Sequence, residues 1–199
     1  MINMNQEELN KILKEHELWL KGEGGKHADL SNTDLSNANL TNVNLRYANL
    51  SNANLTNANL RYIDLRYADL INANLTKADL TNIKTNYHTL GYHLTCPEEG
   101  SFIGYKKADK HLVKLLILED SKRSSATTLK CRCDKAKVLD IENIETGEKI
   151  KEIRSNYDSN FIYRVGEIVS VDNFDNNRWN ECTTGIHFFI NRENAINYR

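Results

Sequence analysis

Leucine recurs at a constant spacing of five from Leu30 to Leu80, eleven times without a break, and this period constrains the fold more than any other feature of the chain. A small residue, usually Ala, stands two positions before each leucine, and Asp or Asn stands one position before it. A helix turns about 100° per residue, so five residues would spiral the leucines around it instead of lining one stripe. A plain strand fails as well, because side chains alternate and an odd period sends successive leucines to opposite faces. One residue per repeat must be absorbed by a corner. If each pentad is a short extended side followed by a turn, Ala and Leu both point inward and the remaining positions point outward or bond the turn. Asn and Asp before the leucine suit such corners, because their side chains bond nearby backbone and tolerate unusual dihedrals.

The series HADLS, NTDLS, NANLT, NVNLR, YANLS, continuing to KADLT, resembles the pentapeptide-repeat proteins over roughly residues 27 to 85. The resemblance implies a right-handed quadrilateral parallel β-helix, four pentads to the coil and about three coils long. Thr33, Val43, Ile63 and Ile83 replace Ala, and Thr85 replaces Leu, so the last side is expected to be irregular. At about 4.8 Å per coil the rod is only about 14 Å long.

Ahead of the repeat, Asn5 with Glu7 and Glu8 reads as an N-cap with a capping box, and Leu9, Ile12, Leu13, His16 and Leu20 follow at helical spacing until Gly22, Gly24 and Gly25. Residues 1–26 are therefore expected to form a helix that caps the exposed edge of the first coil. The repeat occupies 27–89. Beyond it, β-like runs are expected at Phe102 to Lys107, His111 to Glu119, Lys130 to Glu142, Lys149 to Arg154, Phe161 to Val171 and Ile186 to Ile190, with a short capped helix from Asn191 to Tyr198. Residues 90–199 thus read as an α+β domain.

Charge narrows the function. The chain carries a formal net charge of −1, spread evenly: five acids and four bases in 1–26, five of each in 27–85, seventeen of each in 86–199. No segment is a polyanion or polycation, so specific nucleic-acid binding is not expected. Some pentapeptide-repeat proteins inhibit type II topoisomerases by imitating DNA; that reading ranks last, because the repeat is neutral and under half of one ~34 Å DNA turn. With no apolar leader or membrane-length run, a cytoplasmic location without membrane association is expected. The layout as a whole resembles phage and prophage pentapeptide-repeat proteins whose C-terminal domain has no established activity.

Two places could recognise a partner. Residues twenty apart should stack on one side of the coil, which gathers Tyr47, Tyr67 and Tyr87 beside Arg46 and Arg66 as a basic, aromatic ladder. Residues 36–47 and 51–62 are nearly identical at an offset of fifteen, however, and such a duplication rotates Arg61 and Tyr62 onto a neighbouring side, so the pattern does not hold Arg-Tyr on one face. The second place is RWNECTTGIHFF, Arg178 to Phe189, the densest polar cluster in the chain. Arg164, Arg178, Glu181, Thr183, Thr184 and His187 are the binding candidates there, with Glu181 and His187 as a conceivable acid and base and Arg164 or Arg178 as an anion contact. No nucleophile motif, phosphate loop or metal signature accompanies them. Cys131 and Cys133, one residue apart, match no common zinc spacing even with Cys96, Cys182 and His187 added, so no metal and no cofactor is expected. The expected activity is non-enzymatic recognition of a protein partner or small ligand by the C-terminal domain, with the coil as scaffold and self-association open. The alternative is a small enzyme or nucleotide-binding module centred on RWNECTTGIHFF.

Overall fold

The computed structural model describes residues 1–198 and divides into two compact units, Met1–His93 with Ala126–Thr128, and Leu94–Ser125 with Leu129–Arg199. In the first unit, β1 (Ile2–Asn3) is followed by α1 (Gln6–Lys21), and β1 pairs in parallel with β2 (Thr33–Asp34). The capping box forms: Glu8 N–H donates to the Asn5 side chain at 2.9 Å, Asn5 N–H donates to the Glu8 carboxylate at 3.0 Å, and Gly22 closes the helix in the left-handed region at φ 72°. The bonds that tie the cap to the coil include two that begin and end on different elements. Ile2 N–H donates to Asn32 O at 2.8 Å, and Ala28 N–H donates to the buried Nδ1 of His16 at 3.0 Å.

The pentads close as the period requires. Parallel bridges join residues twenty apart, from Asp29↔Asn49 through Asp64↔Lys84, so four pentads make one coil with four sides. Leu30 through Leu75 line the interior at 3% exposure or less, with Ala48, Ala53, Ala58 and Ala68 equally buried. The corners differ from the sequence expectation in one respect. The Asx residue before each leucine accepts a hydrogen bond from the backbone two residues on, as Asp34 does from Ser36 at 3.0 Å, but it keeps ordinary dihedrals. The unusual dihedral falls two positions after the leucine, at Asn32, Asn37, Asn42 and every fifth residue to Asn82. There the chain makes a turn closed by bonds such as Ala38 N–H to Leu35 O, with positive φ only at its third residue, the type II pattern that favours Gly or Asn. Tyr47, Tyr62, Tyr67 and Lys77 occupy the same position. The last side is irregular, as expected: Asp69 pairs with Leu90, twenty-one residues on, so one residue is inserted between Lys84 and Leu90. The segment Ala126–Thr128 belongs to this unit, where Thr127 O accepts from Asn72 N–H at 3.1 Å and Thr127 Oγ1 donates to Ala73 O.

The second unit is an antiparallel sheet built from β3 (Phe102–Ala108), β4 (His111–Ile117), β5 (Arg123–Ser125), β6 (Lys130–Cys133), β7 (Lys135–Asn143), β10 (Ile168–Ser170) and β11 (Ile186–Phe189). Its order is β10-β7-β4-β3-β11-β6-β5. A separate hairpin pairs β8 (Glu152–Arg154) with β9 (Ile162–Arg164), and α2 (Arg192–Asn197) closes the chain, its N-cap Asn191 accepting from Glu193 and Asn194. Two expected runs are each split in two. Lys130 to Glu142 breaks at Asp134, and Phe161 to Val171 breaks around Gly166, which has φ 92°. Val113, Leu115, Ile117, Val138, Ile141 and Phe188 form the main core on one face, and Leu112, Phe189 and Ala195 a smaller one under α2.

Gly104 fits this core because it lacks a side chain. A Cβ there would lie 2.6 Å from Cδ2 of Phe188, whose ring is fully buried. Gly104→Ala is expected to lower unfolding stability by about 1–3 kcal/mol through overpacking, measured by urea denaturation. Tyr62→Asn should instead raise it by about 0.5–1 kcal/mol, because the exposed Tyr62 holds φ 58° where Asn is the favoured residue.

Candidate functional site

The repeat face is already engaged with itself. Tyr47 and Tyr67 stack at 4.8 Å and 15°, and Tyr67 stacks on His88 at 5.1 Å and 19°. Trp19 of α1 meets the edge of Tyr47 at 6.0 Å. The column continues with His88 in place of the expected Tyr87, because the inserted residue advances the register by one, and Tyr87 is left 80% exposed. Arg66 is committed to Asp64 by a fork of two bonds at 2.9 and 2.6 Å, and the Arg46 guanidinium lies 5.4 Å from its neighbour Tyr47. A flat ligand slipped between two rings needs them about 7 Å apart, twice the stacking distance, so these ring faces are filled by one another. The face offers ring edges.

The second unit contains a cavity of about 650 Å³, within the range of small-molecule sites. It lies beside the end of a short pairing: β11 meets β3 in one register pair, Phe189↔Tyr105, but runs four pairs along β6. Lys106 of β3, Lys130 of β6 and His187 of β11 reach it from the sheet, Tyr157 and Phe161 from the connection between β8 and β9, and Thr183 and Thr184 from the loop before β11. An adjoining cavity of about 230 Å³ shares Lys106, Lys130, Tyr157, His187 and Tyr198.

One buried guanidinium holds that loop. Arg132 is 2% exposed, and its guanidinium donates to the carbonyls of Asp175 at 3.0 Å, Thr184 at 2.8 Å and Asn177 at 3.1 Å while lying 5.0 Å from the Phe174 ring. Thr184 Oγ1 donates to Asn173 O and closes the same loop upon itself. Gly185, at φ 148°, lets it pass close to Arg132, where a Cβ would lie 3.3 Å from the Arg132 Cβ.

Charge in the cavity is unevenly compensated. Lys130 Nζ lies 3.7 Å from the Glu181 carboxylate, 3.3 Å from Cys182 Sγ and 3.4 Å from Tyr198 Oη. Burial opposes its charge, but Glu181, Cys182 and Tyr198 outweigh burial and hold it above the ordinary lysine range. Lys106 is 8% exposed, and among the described residues no carboxylate stands within 4 Å of its Nζ. Burial, with Lys130 adding to it, lowers its pKa to about 8. Its ammonium lies 5.8 Å from the Tyr157 ring. Burial and the cations Lys106, Lys130 and Arg132 likewise lower His187 to about 4, a bond to the Thr183 backbone only partly offsetting them. Its Nε2 is buried without a partner.

The sequence candidates separate on this geometry. Thr183, Thr184 and His187 line the cavity. Glu181 acts on it through Lys130. Arg164 is exposed on β9 and pairs with Glu152 at 2.8 Å, and Arg178 donates to Ser125 O at 3.0 Å and stacks 4.3 Å from the Trp179 ring; neither lines the cavity. Lys106, Lys130 and Arg132 were not legible as site residues, because each sits in a strand where an outward lysine or arginine is ordinary. The hint was a residue type: RCD follows KC with no turn, which puts Arg132 in the middle of a buried run. Cys131 and Cys133 face the core, paired in register with Phe188 and Ile186, whereas His187 pairs with Arg132. A bond to Cys96 and then burial push the Cys131 thiol up, and burial does the same to Cys133. Among the described residues no group of three metal-ligating side chains assembles, and no helix is long and apolar enough to cross a membrane.

Residues 92–195 match a family of unknown function, DUF5758, and residues 26–61 and 53–84 match the pentapeptide repeats. No functionally curated protein matches the chain. Two similar solved structures are the pentapeptide repeat protein Rfr23 from the cyanobacterium Cyanothece 51142, at 48% identity over 32% of this chain with a TM-score of 0.31, and HetL from Nostoc sp. strain PCC 7120, at 35% identity over 29% with a TM-score of 0.28. The latter is described as involved in heterocyst differentiation regulation. This chain spans 43% and 28% of the lengths of those two proteins.

The lowered His187 sets a pH dependence. Folding favours its neutral form, so the unfolded chain takes up the proton first; the stabilisation is complete above about pH 6.5 and is lost as pH falls toward 4. The unfolding free energy from urea denaturation should therefore drop between pH 7 and 5 by an amount that His187→Gln reduces by about 1–2 kcal/mol.

Proposed function

Because this chain belongs to the DUF5758 family of unknown function, joined to a run of pentapeptide repeats, we propose that its C-terminal unit binds a small anionic molecule in the cavity beside β3 and β11, with the repeat as scaffold. Pentapeptide-repeat proteins are generally non-enzymatic scaffolds, which agrees with the second half of this reading.

The observation that carries it is the uncompensated Lys106. Removing an ammonium from water without a counter-charge costs several kcal/mol. Lys106 meets that cost in part by its lowered pKa, but at pH 7 it remains mostly protonated, and it lines both cavities together with a second buried cation, Lys130. An anionic ligand supplies the missing charge. The aromatic rings of Tyr157, Phe161, Tyr163 and Tyr198 provide the apolar wall that small-molecule sites require. Recognition is favoured over turnover by the state of the two groups expected to act as acid and base. Glu181 is held toward Lys130, and His187 is too weak a base near neutral pH to accept a proton.

Thermal-shift screening against small carboxylates and phosphate esters is expected to yield a ligand that raises the melting temperature. Lys106→Met and Lys130→Met should each weaken that ligand at least about tenfold, the loss of one charge-assisted contact. Arg46→Ala combined with Arg66→Ala should change its affinity less than about twofold, since an exposed ion pair contributes little. Loss of binding in the double arginine variant, with the two lysine variants unaffected, would assign the working surface to the repeat.

A further inference from the structure

Resting on the reading of the cavity as an anion site, we infer that its ligand is a small anionic aldehyde or ketone and that Lys106 holds it covalently, as an imine.

The geometry separates the two lysines. Lys130 is tied to Glu181, Cys182 and Tyr198, and these contacts keep its nitrogen protonated and occupied. Lys106 has no carboxylate partner among the described residues, is more than nine-tenths buried, and borders both cavities. Cys133 and Lys130 of β6 act on its charge, and the other titratable groups lining the cavity with it include His187 from β11, Tyr163 from β9, and Tyr157 with Asp158 from the β8–β9 connection. An amine in apolar surroundings next to a second cation is the setting in which lysine becomes a nucleophile near neutral pH. With its pKa at about 8, roughly a tenth of Lys106 is unprotonated at pH 7, against a few parts in ten thousand for an ordinary lysine. The charged majority attracts the anion and the neutral minority reacts.

The step balances without an oxidant or a reductant. The Nζ lone pair adds to the carbonyl carbon, the two amine protons leave with the carbonyl oxygen as water, and a C=N bond replaces C=O. Hydrolysis reverses it, so capture is reversible.

The test uses the full chain with pyruvate as the carbonyl probe and lactate as its counterpart without a ketone, each followed by melting temperature. Sodium borohydride, added in a parallel reaction, reduces and fixes any imine for peptide mapping. The expected result is one reduced pyruvate adduct on the peptide bearing Lys106, at least about tenfold above any other lysine, and no such adduct with lactate. Glyoxylate and glycolaldehyde phosphate, run in the same way, extend the test to other anionic carbonyls. Lys106→Arg, which keeps the charge, should abolish the adduct, and Lys106→Met should do so independently. If lactate and pyruvate stabilise the protein alike and Lys106 is not modified by any of the three carbonyl probes, the covalent step is overturned and the anion site stands. If none of the probes stabilises the protein or marks Lys106, both fall. Modification of Lys130 in place of Lys106 would also overturn the assignment.

Discussion

The C-terminal unit depends on a single buried guanidinium. Arg132 donates to three carbonyls of the loop before β11; Asn177 O also accepts from Asn180 N–H at 3.2 Å, so it is at Asp175 and Thr184 that the guanidinium meets an acceptor which would otherwise be left unpaired or be drawn out to water. Lysine could not replace it, since a single ammonium cannot reach three acceptors spread across the fork of a planar group. With the loop fixed, Thr183, Thr184 and His187 are held at the cavity wall, and the cations around His187 keep its ring neutral. The polar wall is thereby organised from beneath, by a residue that need not touch a ligand.

The two units solve the same problem by different means. In the coil, every pentad carries its own turn closure, an Asx side chain accepting from the backbone two residues on, so the cost of each corner is met locally. In the C-terminal unit the loops are closed from a distance: Arg132 reaches forty-three residues along the chain to Asp175, and Arg123 gathers the carbonyls of Gly100, Leu118 and Glu119. Local closure leaves a period in the sequence, and distant closure leaves none.

That difference explains what could be read in advance. The corner in every pentad, the helical cap and the irregular last side follow from spacing and residue type, since each depends on residues within a turn or a coil of one another, while the four sides of the coil were implied by the resemblance to the pentapeptide-repeat proteins. The positive φ two residues after each leucine was misplaced onto the Asx before it, because both positions carry Asn and only the backbone distinguishes them. The single inserted residue moved the end of the ring column from Tyr87 to His88. In the C-terminal unit every strand but β5 overlaps an expected run, two of those runs being broken, and the RWNECTTGIHFF segment does reach a cavity through Thr183, Thr184 and His187. Lys106 was invisible, because the absence of a counter-ion is a property of packing and not of spacing, and Lys130 was invisible because its burial beside Glu181 depends on packing as well.

The first unit is discontinuous in sequence, since Thr127 O accepts from Asn72 and Thr127 Oγ1 donates to Ala73, although fifty-four residues separate Thr127 from Ala73. The visible end of the pentads is thus a false seam. A recombination event joining this array to another partner at residue 93 would inherit a final coil short of two of its bonds. Descent should therefore transmit the array and the Ala126–Thr128 segment as one heritable block, with the sequence between them carried along.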